Sequence, residues 1–199
     1  MSYQIFLVGN KVDIPTINKI SNHNPSSKEI IFVGKMSYEP NIVAVTYFVN
    51  TILPKLRSIN PEITFTIVGA NPDTQVLSLQ NTEGVLVTGF VDSIEPYFQN
   101  TAIVVAPMLT GAGIQNKIIQ AMAYGCCVVT TSIGAEGLNI LKNEIAICDN
   151  ENAMVENITE LLNDVNKRKH MGNLAREYII KNMSSEIIEK QFWNFIGDE

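Results

Sequence analysis

The segment Thr110-Gly111-Ala112-Gly113-Ile114-Gln115-Asn116-Lys117 concentrates residue types that handle phosphate. Two glycines flank Ala112 and leave backbone N–H groups uncovered, where an apolar run passes into a helical pattern. A helix N-terminus carries about half a positive charge, so open amides there form a cradle for an anion. Lys117 adds a full charge near the helix start. The spacing predicts a helix over 113–124, stopped by Gly125. On it Gly113, Asn116, Lys117 and Gln120 share one side at i, i+3, i+4 and i+7. Ile114, Ile118, Ala121 and Met122 share the core side. At about 1.5 Å per residue, Gly113 and Gln120 stand roughly 10 Å apart along the axis. A nucleotide diphosphate fits that span, with phosphates at the helix start and ribose at Gln120. An amphipathic helix with a solvated polar face accounts for the pattern equally well.

Other chemical constellations are sparse. The chain has neither G-x-G-x-x-G after its first strand nor G-x-x-x-x-G-K-[ST], which disfavours dinucleotide-binding oxidoreductases and P-loop enzymes. It also lacks G-x-S-x-G, the hydrolase elbow. His23 and His170 stand in polar contexts and read as surface residues. Asp92 and Glu95 read as caps of a short helix. Glu136 lies in Ile133-Gly134-Ala135-Glu136-Gly137-Leu138, a glycine-bracketed loop after a strand. Such a loop is a functional kind of place and equally an ordinary surface turn. Cys126, Cys127 and Cys148 form an odd set without zinc-like spacing, which suggests a reducing compartment.

These residues need a scaffold, and the rest of the sequence supplies one. Continuous apolar runs at Ile30–Gly34, Phe65–Gly69, Val85–Gly89, Ile103–Pro107, Val128–Thr131 and Ile145–Cys148 predict strands covered on both faces. Helical patterns separate them at 40–57, 73–80, 94–99 and 113–124, and follow at 151–164, 167–182 and 185–196. Pro54 is expected to kink or end the first. Strand–helix alternation implies right-handed βαβ units, hence an α/β Rossmann-like parallel sheet of about six strands. Such folds bind ligands beyond the carboxyl ends of their strands. Earlier, Ile5–Gly9 reads as a short apolar run and Asn22–Ser27 as an exposed loop. With 14 basic and 20 acidic residues the net charge is −6, and no basic stripe marks a nucleic-acid binder. No apolar run approaches the roughly 18 residues of a membrane span, and the N-terminus lacks a signal-peptide pattern. A cytoplasmic protein is expected.

Several segments together carry a family resemblance. Ile114-Gln115-Asn116-Lys117-Ile118-Ile119-Gln120-Ala121-Met122-Ala123-Tyr124-Gly125 resembles the K-x-L-E-A-M-A-x-G core of group 1 glycosyltransferases. Thr131–Leu138 resembles the T-x-x-G-A-E-G-L loop that follows it. Phe32–Lys35, Val87–Val91 and Val8–Asp13 match further landmarks in order, so the resemblance spans residues 5–182. That family comprises retaining enzymes with two Rossmann-like halves, the GT-B architecture. The resemblance implies the donor-binding C-terminal half. Residues 1–27 would be a hinge remnant, 28–182 the nucleotide-sugar-binding domain, and 183–199 a helix crossing back to a missing N-terminal half. Phe192, Trp193 and Ile196 would form that helix's apolar stripe.

By the same resemblance, Lys35, Gly111, Ala112, Gly113, Ile114 and Lys117 would hold the donor's phosphates and sugar. Gln120 would meet the ribose, and Thr88, Gly89, Phe90 and Val91 the base. The family's two carboxylates fall at Ala112 and Gln120, so both are absent, and Lys35 replaces an Arg. A Gln offers the ribose one acceptor and one donor group where a carboxylate offers two acceptors. No catalytic residue is assigned. No metal and no cofactor are expected, the nucleotide diphosphate sugar being the substrate. A glycan or lipid-linked acceptor and the N-terminal half are the expected partners. Peripheral attachment to the inner membrane is open for the longer protein. The chain alone is expected to bind donor without transferring sugar. The alternatives are a non-catalytic sugar-nucleotide binder and another Rossmann-like nucleotide-binding enzyme.

Overall fold

The β-branched runs become strands in a computed structural model, which describes residues 12–16, 20–140, 143–184 and 187–188. The strands are β1 (Glu29–Val33), β2 (Thr64–Val68), β3 (Val85–Gly89), β4 (Ile103–Ala106), β5 (Val128–Thr130) and β6 (Ala146–Ile147). They form one sheet in the order β3-β2-β1-β4-β5-β6, every pairing parallel. β4 and β5 are buried along their whole length, as strands covered on both faces must be. The expected Rossmann-like α/β class is therefore observed. The order reverses between β1 and β4, which opens a crevice at their carboxyl ends.

The helices are α1 (Glu39–Tyr47), α2 (Leu53–Ile59), α3 (Thr74–Ser78), α4 (Glu95–Asn100), α5 (Asn116–Ala123), α6 (Glu151–Asn163) and α7 (Val165–Met183). Three expectations need correction. Pro54 does not end the helical run, which continues to Ile59. A π-helical turn at Phe48–Ile52 joins α1 to α2 and places Pro54 in the first turn of α2, where a missing N–H costs little. α5 begins at Asn116 instead of 113. Gly111 (φ 123°) and Gly113 (φ 72°) hold backbone angles that a right-handed helix excludes. The amide of Glu95 at the start of α4 is met by Ser93 Oγ at 3.2 Å, the role expected of Asp92.

The segment before β1 also departs from expectation. His23 is buried, not on the surface, and Ser21 is buried beside it. Ser21 N–H donates to Tyr124 O at 2.7 Å and Asn22 N–H to Gln99 O at 3.1 Å. Arg168, fully buried, donates to Asn24 O at 3.2 Å and to Leu161 O at 2.6 Å. Arg176 reaches Pro15 O at 2.6 Å and also bonds Ala123 O. Val12 and Ile14 pack on the core. These residues are docked on the domain, with Asp13, Thr16, Asn22 and Asn24–Ser26 exposed. Ile5–Gly9, most of the 185–196 helix and its Phe192, Trp193 and Ile196 stripe lie outside the described residues. His170 is exposed, as expected.

Candidate functional site

The loops after β1 and β4 leave the sheet on either side of the crevice. After β4 the chain runs through Pro107 and Met108 into the two glycines, and Gln115 then precedes α5. Gln115 is buried. Its Nε2 donates to Gly113 O at 3.2 Å and its Oε1 accepts from Lys117 Nζ at 2.8 Å. One side chain thus braces the loop and holds the lysine beneath it. Lys117 Nζ also lies 3.8 Å from Met108 Sδ and 5.4 Å from the centre of the Phe32 ring. Burial lowers its pKa to about 8. Among the described residues no carboxylate pairs with it. A half-buried ammonium under open loop amides is a receptor for an anion. The Gly113 amide is not open, however: it donates to Glu136 Oε2 at 3.0 Å.

On the β1 side, Lys35 stands exposed in the loop before α1. Asn41 Nδ2 donates to Lys35 O at 3.0 Å and shapes that loop, while the buried Asn41 Oδ1 has no partner among the described residues. A cavity of about 370 Å³ opens here, bordered by Val33, Gly34, Lys35, Gly69, Asn71, Phe90 and Val91. Phe90 is 75% exposed, unusual for an aromatic ring, and offers a free face at the cavity's edge. Thr88 Oγ1 is engaged by backbone: it donates to Gly89 O at 2.9 Å and accepts from Gly69 N–H at 3.4 Å. A larger cavity of about 690 Å³ lies beside β6, among Asn143, Ile147, Lys167 and His170, and shares none of these residues.

The structure gathers Lys35, Gly111–Ile114 and Lys117 at the crevice, with Phe90 and Val91 along the same edge. Gly113 does not continue the polar face of α5, because it lies outside the helix. Gln120 follows Asn116 by one turn, about 6 Å of rise, and its half-exposed side chain has no hydrogen-bond partner among the described residues. Sequence reasoning missed Gln115 and Asn41. A polar residue at a helix start reads as solvated, and only packing shows it buried. Among the described residues no group of three His, Cys, Asp or Glu side chains could hold a metal ion.

A family model described as "Glycosyl transferases group 1" matches residues 27–164. A Klebsiella pneumoniae protein described as an uncharacterized 44.6 kDa protein in the cps region is 26% identical over 178 residues, covering 85% of this chain and 45% of its own length. Among solved structures, an S. aureus TarM variant in complex with fondaparinux, alpha-GlcNAc-glycerol and UDP superposes with a TM-score of 0.81 at 19% identity, over 97% of this chain and 39% of that one. The C-terminal domain of a group 1 family glycosyl transferase (LpcC) from Francisella tularensis gives 0.62 at 17% identity, over 84% of this chain and 90% of that one. The chain thus spans less than half the length of the Klebsiella and TarM proteins.

Proposed function

The chain belongs to the group 1 glycosyltransferases, and from that membership we propose that it binds a nucleotide diphosphate sugar and stabilises the diphosphate as it leaves. One observation carries this reading: the glycine loop after β4 overlies a half-buried lysine that has no anionic partner among the described residues, at the strand-order switch. The diphosphate lies against the Gly111 and Ala112 amides, with Lys117 beneath and Lys35 across the crevice. Charge builds on the leaving oxygens during transfer, and pre-oriented amides and ammonium groups meet it without reorganising. The base occupies the cavity at Phe90 and Val91, and the ribose lies toward Gln120. More than half of the length of the longer relatives is not matched here, and the acceptor site is read as formed with such a second half. The Klebsiella relative's cps region supports a role in polysaccharide biosynthesis, and a cytoplasmic location agrees with the use of a nucleotide sugar.

Calorimetry with UDP, GDP and ADP against the matching nucleosides tests the reading. One diphosphate is expected to bind about tenfold or more tighter than its nucleoside. Turnover with lipid or glycan acceptors is expected to stay at background for the 199-residue chain. Acceptor-dependent turnover would overturn the second-half part. Tight NAD binding without UDP, GDP or ADP binding would overturn the donor part.

A further inference from the structure

We propose that Glu136 selects the sugar of the donor by accepting its hydroxyl groups, so that the β5 loop rather than the β4 loop reads the transferred group. The inference rests on the donor-binding reading above. Glu136 Oε2 takes the Gly113 N–H at 3.0 Å, while Oε1 has no partner among the described residues and the side chain is exposed.

The β5 loop is built to deliver this side chain. Thr131 Oγ1 donates to Met108 O at 2.7 Å and accepts from Gly134 N–H at 3.1 Å, tying the loop to the start of the β4 loop. Ser132 N–H and Oγ both bond Asp149, at 2.6 Å each, which fixes the loop from its other side. Gly137 (φ 79°) lets the two loops touch: a Cβ there would come within 2.9 Å of Ile114 Cγ1. Glu136 is therefore held at the mouth of the glycine loop by three separate contacts around it.

Charge decides what it faces. Lys117 lies on the β1 flank of the glycine loop, over Phe32 and beside Met108. Glu136 reaches the same loop from the β5 flank. A diphosphate is drawn to the ammonium and repelled by the carboxylate, so it lies on the β1 flank. What remains beside Glu136 is a neutral group able to donate hydrogen bonds, and a sugar's hydroxyls fit. The strand order agrees. The cavity lies at the ends of β1 to β3, Lys117 between β1 and β4, and Glu136 on the loop after β5, against the β4 loop. From β3 to β5 is four strand spacings, on the order of 19 Å. Base, diphosphate and sugar then follow one another along the carboxyl edge.

The test is calorimetry on the 199-residue chain and its Glu136→Ala and Glu136→Gln variants. The ligands are UDP, GDP and ADP, with UDP-glucose, UDP-N-acetylglucosamine, GDP-mannose and ADP-glucose. Glu136→Ala is expected to weaken the bound sugar nucleotide about tenfold while the diphosphate alone binds as well or better. Glu136→Gln keeps one acceptor and falls between. Equal losses on both ligands would mean that Glu136 only shapes the loop, and would overturn the proposal. So would an unchanged affinity for both. If the unaltered chain binds none of the nucleotides, the donor-binding reading itself fails, and a different result marks that failure.

Discussion

Among the described lysines, Lys117 is the one whose surroundings shift its titration. Burial lowers its pKa from 10.5 to about 8, and its partners are neutral: Gln115, Met108 and the Phe32 ring. The unfolded chain keeps this proton to a higher pH than the folded one. Lys117 therefore costs stability below pH 8, and the cost is relieved as pH rises between 8 and 10.5. A bound diphosphate reverses the bias, because an anion beside Nζ favours the charged form. Diphosphate affinity should be flat below about pH 8 and decline above it, with proton uptake on binding near pH 9. Calorimetry in two buffers of different ionisation enthalpy measures that uptake. Lys117→Met should abolish it and weaken UDP, GDP or ADP more than the nucleoside. Uptake that persists in the variant would move the titrating group elsewhere.

Among the elements, α5 and α7 meet more closely than their side chains alone would allow. Gly125 ends α5 with φ 68°, and its carbonyl points at Gly172 within α7. A Cβ on Gly172 would overlap that oxygen and come within 2.9 Å of His23 Cε1. Ala is the better helix former by about 1 kcal/mol, so propensity alone would make Gly172→Ala stabilising. Backbone overlap should win, because the atoms met first are the Gly125 carbonyl's own and not the far end of a flexible side chain. A net loss on the order of 2 kcal/mol is expected in urea unfolding. Asn173→Ala, one residue on and exposed, should change stability little. A more stable Gly172→Ala chain would show that the helices can separate without cost.

At the scale of the whole molecule, the described residues before β1, 12–16 and 20–28, are part of the folded unit. His23 is their anchor. Its backbone adopts φ 47°, and burial, then the Arg168 and Lys169 charges, lower its pKa to about 4 from 6.5. The unfolded chain binds this proton at a higher pH than the folded one does. The contribution is complete above pH 6.5 and is lost as pH falls toward 4, up to about 3 kcal/mol. His23→Asn, which tolerates the left-handed backbone, should flatten the pH dependence of stability across that window. Denaturant midpoints from about pH 7 to about pH 4 measure it. An equally steep decline in the variant would assign the acid sensitivity to other groups.

The sequence by itself determined the six strands, their parallel pairing class and the place of the glycine loop. Local rules suffice there: continuous β-branched runs require burial on both faces, and alternation with helices forces right-handed crossovers. It also brought Lys35, Lys117 and the glycine loop to one edge, since each follows a strand of the same direction. Where α5 starts was not legible, because a glycine's φ is set by the loop it closes. The π-turn that accommodates Pro54 depends on packing against the sheet in the same way. The burial of His23 and Arg168 was hidden too, since Arg168 binds Asn24 across 144 residues of chain. The tertiary structure alone decided that the Gly113 amide is taken by Glu136, 23 residues on. Their meeting requires β4 and β5 to lie side by side, and strand adjacency is a property of the sheet that no local pattern encodes.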